Sequence, residues 1–202
     1  MVNMRPFNSF EQKNLKFLVN HNVKFTQVEV TPTGLKKGIL DSTVPMRTYF
    51  LENGIHNYEH QQQGQEHKAI YRAIILTDTG KKETKVAFYR PNTKKGDPRM
   101  WIYGLGAFTE GSEIHVLFKY ENALCSVNIT RIDIEKCFNS PIITSLQEIV
   151  KSIYAEGNAV SEELLARFRS VKDQWFESEV VADTGIGRTI ESFLGISMNS
   201  DK

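Results

Sequence analysis

The chain has 202 residues, a net charge of +1 and 40% apolar side chains, enough for one sizeable domain or a domain with an appendage. Near-neutrality excludes a global attraction to nucleic acid or acidic membranes. No run of ~20 apolar residues could span a bilayer, no N-terminal stretch has the form of a signal peptide, and Cys125 and Cys137 belong to no CxxC pair. These features predict a cytoplasmic protein with reduced thiols and no zinc site.

In chain order, residues 8–20 place Phe10, Leu15 and Leu18 at near-helical spacing, with Asn8 or Ser9 as the cap. Residues 23–30 alternate and are β-branched, which predicts a strand. Pro32, Gly34 and Gly38 make 31–38 a loop, with Lys36 and Lys37 at its tip. "MRTYFLENG" (46–54) reads as a strand ending in an Asn-Gly turn, and the polar 56–68 as an exposed loop. Strands follow over 69–77, 85–90 and 100–105, then a hairpin over 113–121 and 123–133. Turn signals about every ten residues suit a small antiparallel barrel or sandwich.

The pattern changes near residue 142. Residues 144–157 read as a helix ending at Gly157. A second helix spans 161–181, capped by Ser161, with Leu164, Leu165, Phe168, Val171, Trp175 and Phe176 on its apolar face. A third begins near "RTIESFLGI" after a glycine turn.

Charge is unevenly distributed. Residues 81–99 hold Lys81, Lys82, Lys85, Arg90, Lys94, Lys95 and Arg99 against Glu83 and Asp97, whereas 161–201 lean acidic. A basic block hidden in a balanced total points to a local anionic partner. Arginine can pair with guanine O6 and N7, a carboxylate can accept from cytosine N4, and lysines can neutralise phosphates. The 89–103 stretch is therefore either a DNA-reading loop or a solvated hairpin, and the Lys36–Lys37 loop favours the former. His56 and His60 are four apart, but with no helical apolar stripe and no nearby cysteine they read as loop residues, not metal ligands. "DTGIGRTIESFLGI" (183–196) lacks the GK[ST] of a phosphate loop, and no nucleophile–base or PD…ExK spacing is present.

Two stretches resemble known families. "GIGRTIESFLGI" (185–196) resembles the opening helix of the MvaI/BcnI restriction endonucleases, in which a TGIG-[KR]-T-x-E segment precedes the metal site. The resemblance implies that the catalytic carboxylates and lysine would follow Lys202. On that expectation the chain itself is not catalytic and needs no cofactor, while the parent nuclease uses Mg²⁺. "VEVTPTGLKKG" and "VAFYRPNTKKGDPRMWIYG" resemble, in order and character, the two DNA-gripping arms of the EcoRII-type effector domain. That domain is an open seven-stranded pseudobarrel like the plant B-three DNA-binding domains. Together the two resemblances imply a Type IIE organisation. A pseudobarrel effector would span 1–142, a helical linker 143–181, and the start of a nuclease domain 182–202. The whole would bind double-stranded DNA at CC(A/T)GG as a monomer, beside a nuclease domain of the same chain, and would have no membrane partner.

Carried over by position, Lys94, Lys95 and Arg99 fall where the effector family has base-reading cations, and Asp97 where it has a Glu. Pro98 replaces a basic residue. Lys36 stands where a His would be, with Lys37 beside it, and the family's aromatic contact falls near Asp41. Arg99, Lys95 and Lys36 would then face guanines, Asp97 and Asp41 cytosines, and Lys85, Arg90 and Asn92 phosphates. Trp101 and Tyr103 are read as packing beneath the arm. A single-stranded nucleic-acid binder using Tyr89 and Trp101, a nuclease in its own right, and a protein-interaction barrel stay open as alternatives.

Overall fold

The computed structural model describes residues 4–93, 95–171 and Thr189. The chain divides into two units, Met1–Tyr154 and Ala155–Lys202.

The first unit is built on seven strands: β1 (Thr26–Val30), β2 (Leu40–Asp41), β3 (Ala69–Leu76), β4 (Lys81–Tyr89), β5 (Arg99–Ile102), β6 (Glu113–Tyr120) and β7 (Ala123–Asn128). They form one sheet in the order β1-β6-β7-β3-β4-β5-β2. β3 and β7 run parallel and every other pair antiparallel, so the sheet is mixed.

Alternation along each strand sorts side chains onto two faces. On one face Val28, Leu40, Ala73, Ile75, Val86, Phe88, Met100, Ile102, Leu117 and Leu124 join a single core. All seven strands, both edge strands included, contribute to it. A flat sheet could not bring its two edges into one cluster; this sheet curls into the open barrel that the sequence predicts. The opposite face of β3, β6 and β7 supplies Ile74, Leu76, Val116, Phe118, Cys125 and Val127 to a second core, shared with Leu18, Ile134, Leu146, Ile149 and Val150 from the helices.

Those helices are α1 (Ser9–Asn20), α4 (Ile134–Phe138) and α5 (Ser145–Val171). α1 starts at a reciprocal capping box between Asn8 and Glu11, as the Asn8 reading expects. Glu11 also accepts from Arg5 and from Thr130, so α1 is tied to the far end of β7. Asn14, fully buried, donates to the carbonyls of Ile129 and Ile132 and accepts from the amide of Ile134.

Three local readings are overturned. Residues 31–38 are not a loop: α2 (Pro32–Lys37) is a short helix capped by Thr31 and closed by Gly38 in the left-handed region. Residues 46–54 are not a strand: α3 (Val44–Glu52) buries Met46, Tyr49 and Phe50 against the barrel core. Its β-rich run Thr48-Tyr49-Phe50 lost to tertiary packing. The Tyr49 hydroxyl donates to the Lys24 carbonyl and accepts from the Lys119 amide. Finally, Gly157 does not end a helix and Ser161 does not cap one, because α5 runs through both and Ser161 Oγ donates back to the Gly157 carbonyl. The rest of the expected 161–181 helix beyond Val171, the glycine turn and the third helix lie outside the described residues.

Candidate nucleic-acid interface

The two basic stretches become arms at the β2 edge of the barrel. The first leaves β1 at Val30 and turns at once into α2. Thr31 Oγ1 accepts from the Gly34 amide at 3.0 Å, which stabilises the first turn. Lys36 and Lys37 occupy the last turn, where the helix dipole favours cations, and both are exposed. Gly38 has φ +63°, and a Cβ there would lie 3.5 Å from the indole of Trp101. The first arm is thus seated on a β5 side chain. The packing role read for Trp101 fits this, whereas Tyr103 is 44% exposed.

The second arm, 90–98, joins β4 to β5. It is braced from below by the polar 56–68 segment, which is not simply an exposed loop. Gly64 donates its amide to the Arg90 carbonyl at 2.9 Å. Arg90 donates through Nε to the Gly96 carbonyl and through Nη1 to the Gln61 carbonyl. Gln61, buried, donates to the carbonyls of His67 and Phe88. His56 stacks on Phe88 with ring centroids 4.7 Å apart, and burial holds its pKa below the ordinary value while its hydrogen bond to Gln61 opposes that. Among the described residues no group of three His, Cys, Asp or Glu side chains could hold a metal ion.

Arg99 opens β5, paired in register with Asp41 of β2 and with Tyr89 of β4. Arg99 Nε lies 3.5 Å from Asp41 Oδ1. That Nε is buried without a hydrogen bond, while the side chain as a whole is 30% exposed and Asp41 62%. Burial raises the pKa of Tyr89; Arg99 lowers it and Asp41 raises it, each by its charge. The row Tyr89–Arg99–Asp41 thus forms a charged strip between the bases of the two arms. Lys68 Nζ sits 5.5 Å from the Tyr89 ring centre at one end of it.

Around this strip the charges are unpaired. Lys36, Lys37, Lys85, Asn92, Lys95 and Asp97 are exposed, and their side chains make no hydrogen bond or ion pair among the described residues. Lys94 lies outside them. Elsewhere some cations are matched, Arg72 and Lys81 with Glu83, Arg131 with Glu110 and Glu113, and Lys13 with Asp133 and Glu135, while others, the exposed Lys16 and Lys24 among them, have no ion pair among the described residues. Of the expected site residues, Asp41 and Arg99 are brought into contact, Arg90 is engaged by Gly96 of its own arm and by Gln61, and the side chains of Lys36, Lys37, Lys85, Asn92, Lys95 and Asp97 are exposed on the two arms or on β4. Tyr58, Ser42 and Gln61 escaped sequence reading. Their segments are polar and patternless, and nothing local marks them as buried.

Residues 165–202 fit the model of the MvaI/BcnI restriction endonuclease family. No curated protein and no solved structure matches the chain. The C-terminal stretch thereby relates the chain to restriction endonucleases, and DNA is the partner that relation implies. No helix among the described residues is long and apolar enough to cross a membrane.

Proposed function

We propose that the barrel is a sequence-specific double-stranded DNA-binding effector domain that grips the major groove between its two arms. It would act alongside a Type II nuclease domain of the same chain, with Mg²⁺ serving that domain. The observation that carries this reading is the unpaired charge on both arms, converging on the Arg99–Asp41 pair, in a chain whose C-terminus matches restriction endonucleases. Cations clustered on two neighbouring arms without ion pairs attract phosphates. A held arginine beside a carboxylate offers guanine two donors and cytosine an acceptor. Lys36, Lys37, Lys94, Lys95, Asp97 and Arg99 are the base readers in this scheme, joined by the free Oδ2 of Asp41. Lys85, Arg90 and Asn92 hold phosphates. The effector-domain resemblance supplies the target, CC(A/T)GG, read by one monomer.

A titration of the 202-residue chain against a CC(A/T)GG duplex and a duplex with one G·C pair inverted, each at two salt concentrations, tests this. The inverted duplex should bind ~10-fold more weakly or worse. Equal, salt-steep binding to both would reduce the arms to phosphate grips. Preference for the separated strands would replace the duplex reading with a single-strand one, and plasmid cleavage in Mg²⁺ would make the chain itself a nuclease.

A further inference from the structure

β2 has only two residues, yet it carries Asp41 and anchors the return of the first arm. Two residues of ladder cannot by themselves fix one arm against the other. The additional tie is a buried hydroxyl pair. Tyr58, 5% exposed, donates its hydroxyl hydrogen to the Arg99 carbonyl at 2.8 Å. With that proton committed, Ser42 Oγ is the donor in the 2.7 Å bond between the two hydroxyls. Ser42 follows Asp41 directly, and its amide donates to the Pro98 carbonyl at 2.9 Å. The Tyr58 ring packs edge-on against His56 and Phe88, so the hydroxyl is delivered from the same segment that braces the second arm.

The geometry points to Tyr58 and Ser42 as positioning residues for specificity: their hydroxyl pair locks β2 to the start of β5, and so fixes Asp41 and Arg99 for base reading. This inference rests on the DNA-binding reading above. Neither residue touches the exposed surface where DNA would lie, so neither is a contact. What they control is register. Base discrimination by a guanidinium requires both donors to meet guanine in one geometry, whereas phosphate neutralisation tolerates drift.

Tyr58→Phe keeps the ring and removes the tie. The variant should discriminate the CC(A/T)GG duplex from the inverted one about ten-fold less well than the parent, within the range a single bidentate base contact is worth. Its salt slope and its affinity for the inverted duplex should be unchanged. Ser42→Ala should act the same way, and the double variant should be no worse than either single, because the two hydroxyls work as one unit. Amide exchange at Ser42 should quicken in Tyr58→Phe while exchange in β6 and β7 stays slow. Unaltered discrimination in Tyr58→Phe would overturn the proposal, as would equal loss of affinity for both duplexes, the mark of a merely structural residue. Should the parent chain itself fail to discriminate, the DNA reading falls and the specificity role falls with it. Ser42 exchange then still decides whether the clamp exists, and unchanged exchange would remove that too.

Discussion

Arg99 and Asp41 face each other across the β2–β5 ladder, with Arg99 Nε 3.5 Å from Asp41 Oδ1. A salt bridge this exposed adds little stability, ~0–1 kcal/mol. Its value is in orientation: Asp41 Oδ1 lies toward Nε, and the two Nη groups of Arg99 have no partner among the described residues. On the proposed reading, removing Arg99 should therefore differ in kind from removing a phosphate-holding lysine. Arg99→Ala should weaken binding to the matched duplex by ~1–3 kcal/mol and relax selection at one base pair. Lys85→Ala should weaken binding to every duplex alike and flatten the salt dependence by about one counterion. Titrations on matched and mismatched duplexes at several salt concentrations separate the two. Equal losses for Arg99→Ala on both duplexes would move Arg99 from reader to grip. The residue types on the arms are what suggest this chemistry in the sequence. The Arg99–Asp41 contact did not, since 57 intervening residues hide a cross-strand pair whose partner strand is two residues long.

Among the elements, α2 is the one the sequence concealed most fully. Pro32, Gly34 and Gly38 look like loop punctuation, yet Pro32 stands in the first turn, where its missing amide costs nothing, and Gly38 stands at the C-cap, where a left-handed residue is wanted. Breakers and caps are the same residues, and only their offset distinguishes a loop from a one-and-a-half-turn helix. The strands were easier to recognise, because β-branched and aromatic runs between turn signals are a strong signal; β1, β3 and β6 stand close to the expected spans, whereas β4 starts four residues before the expected 85 and β7 ends at Asn128, not at 133. α3 and β2 depend on contacts remote in sequence and so left no local mark. The Gly38 cap yields a test of the first arm. In Gly38→Ala the new methyl meets Trp101 at ordinary contact distance, so the cost comes from holding alanine at φ +63°. Stability should fall by about 1 kcal/mol, measured by denaturant unfolding. Binding to the matched duplex should weaken further, because Lys36 and Lys37 sit on the turn that the cap closes. A stability change without any binding change would detach α2 from the interface.

At the scale of the whole molecule, two buried ionisable groups tie the barrel's integrity to pH from opposite chemistry. The wholly buried Glu11 side chain accepts from Arg5, Thr130 and the Asn8 amide, and the Arg5 hydrogen bond is the largest of the effects that lower its pKa from 4.5 to about 2. Its folded pKa lies below its unfolded one, so its contribution is complete above about pH 4.5 and is lost as pH falls toward 2. His115 lies inside the barrel with Nδ1 against Ser126 Oγ at 2.9 Å and Nε2 unpartnered. Burial lowers its pKa from 6.5 to about 4; the nearby Glu113 carboxylate opposes this and Arg131 adds to it. Here the unfolded chain binds the proton first, so stability begins to drop as pH falls below 6.5 and goes on dropping to about 4. Each group is worth up to about 3 kcal/mol across its window. Unfolding free energy should therefore decline in two overlapping stages, His115 first and Glu11 second. Denaturant titrations at pH 7, 5 and 3 would trace them. His115→Gln should remove the decline between pH 6.5 and 4 and leave the lower one intact. A variant that keeps the parent's slope in the upper window would show that His115 does not enter the barrel interior neutral, and the acid sensitivity would then belong to the carboxylates alone.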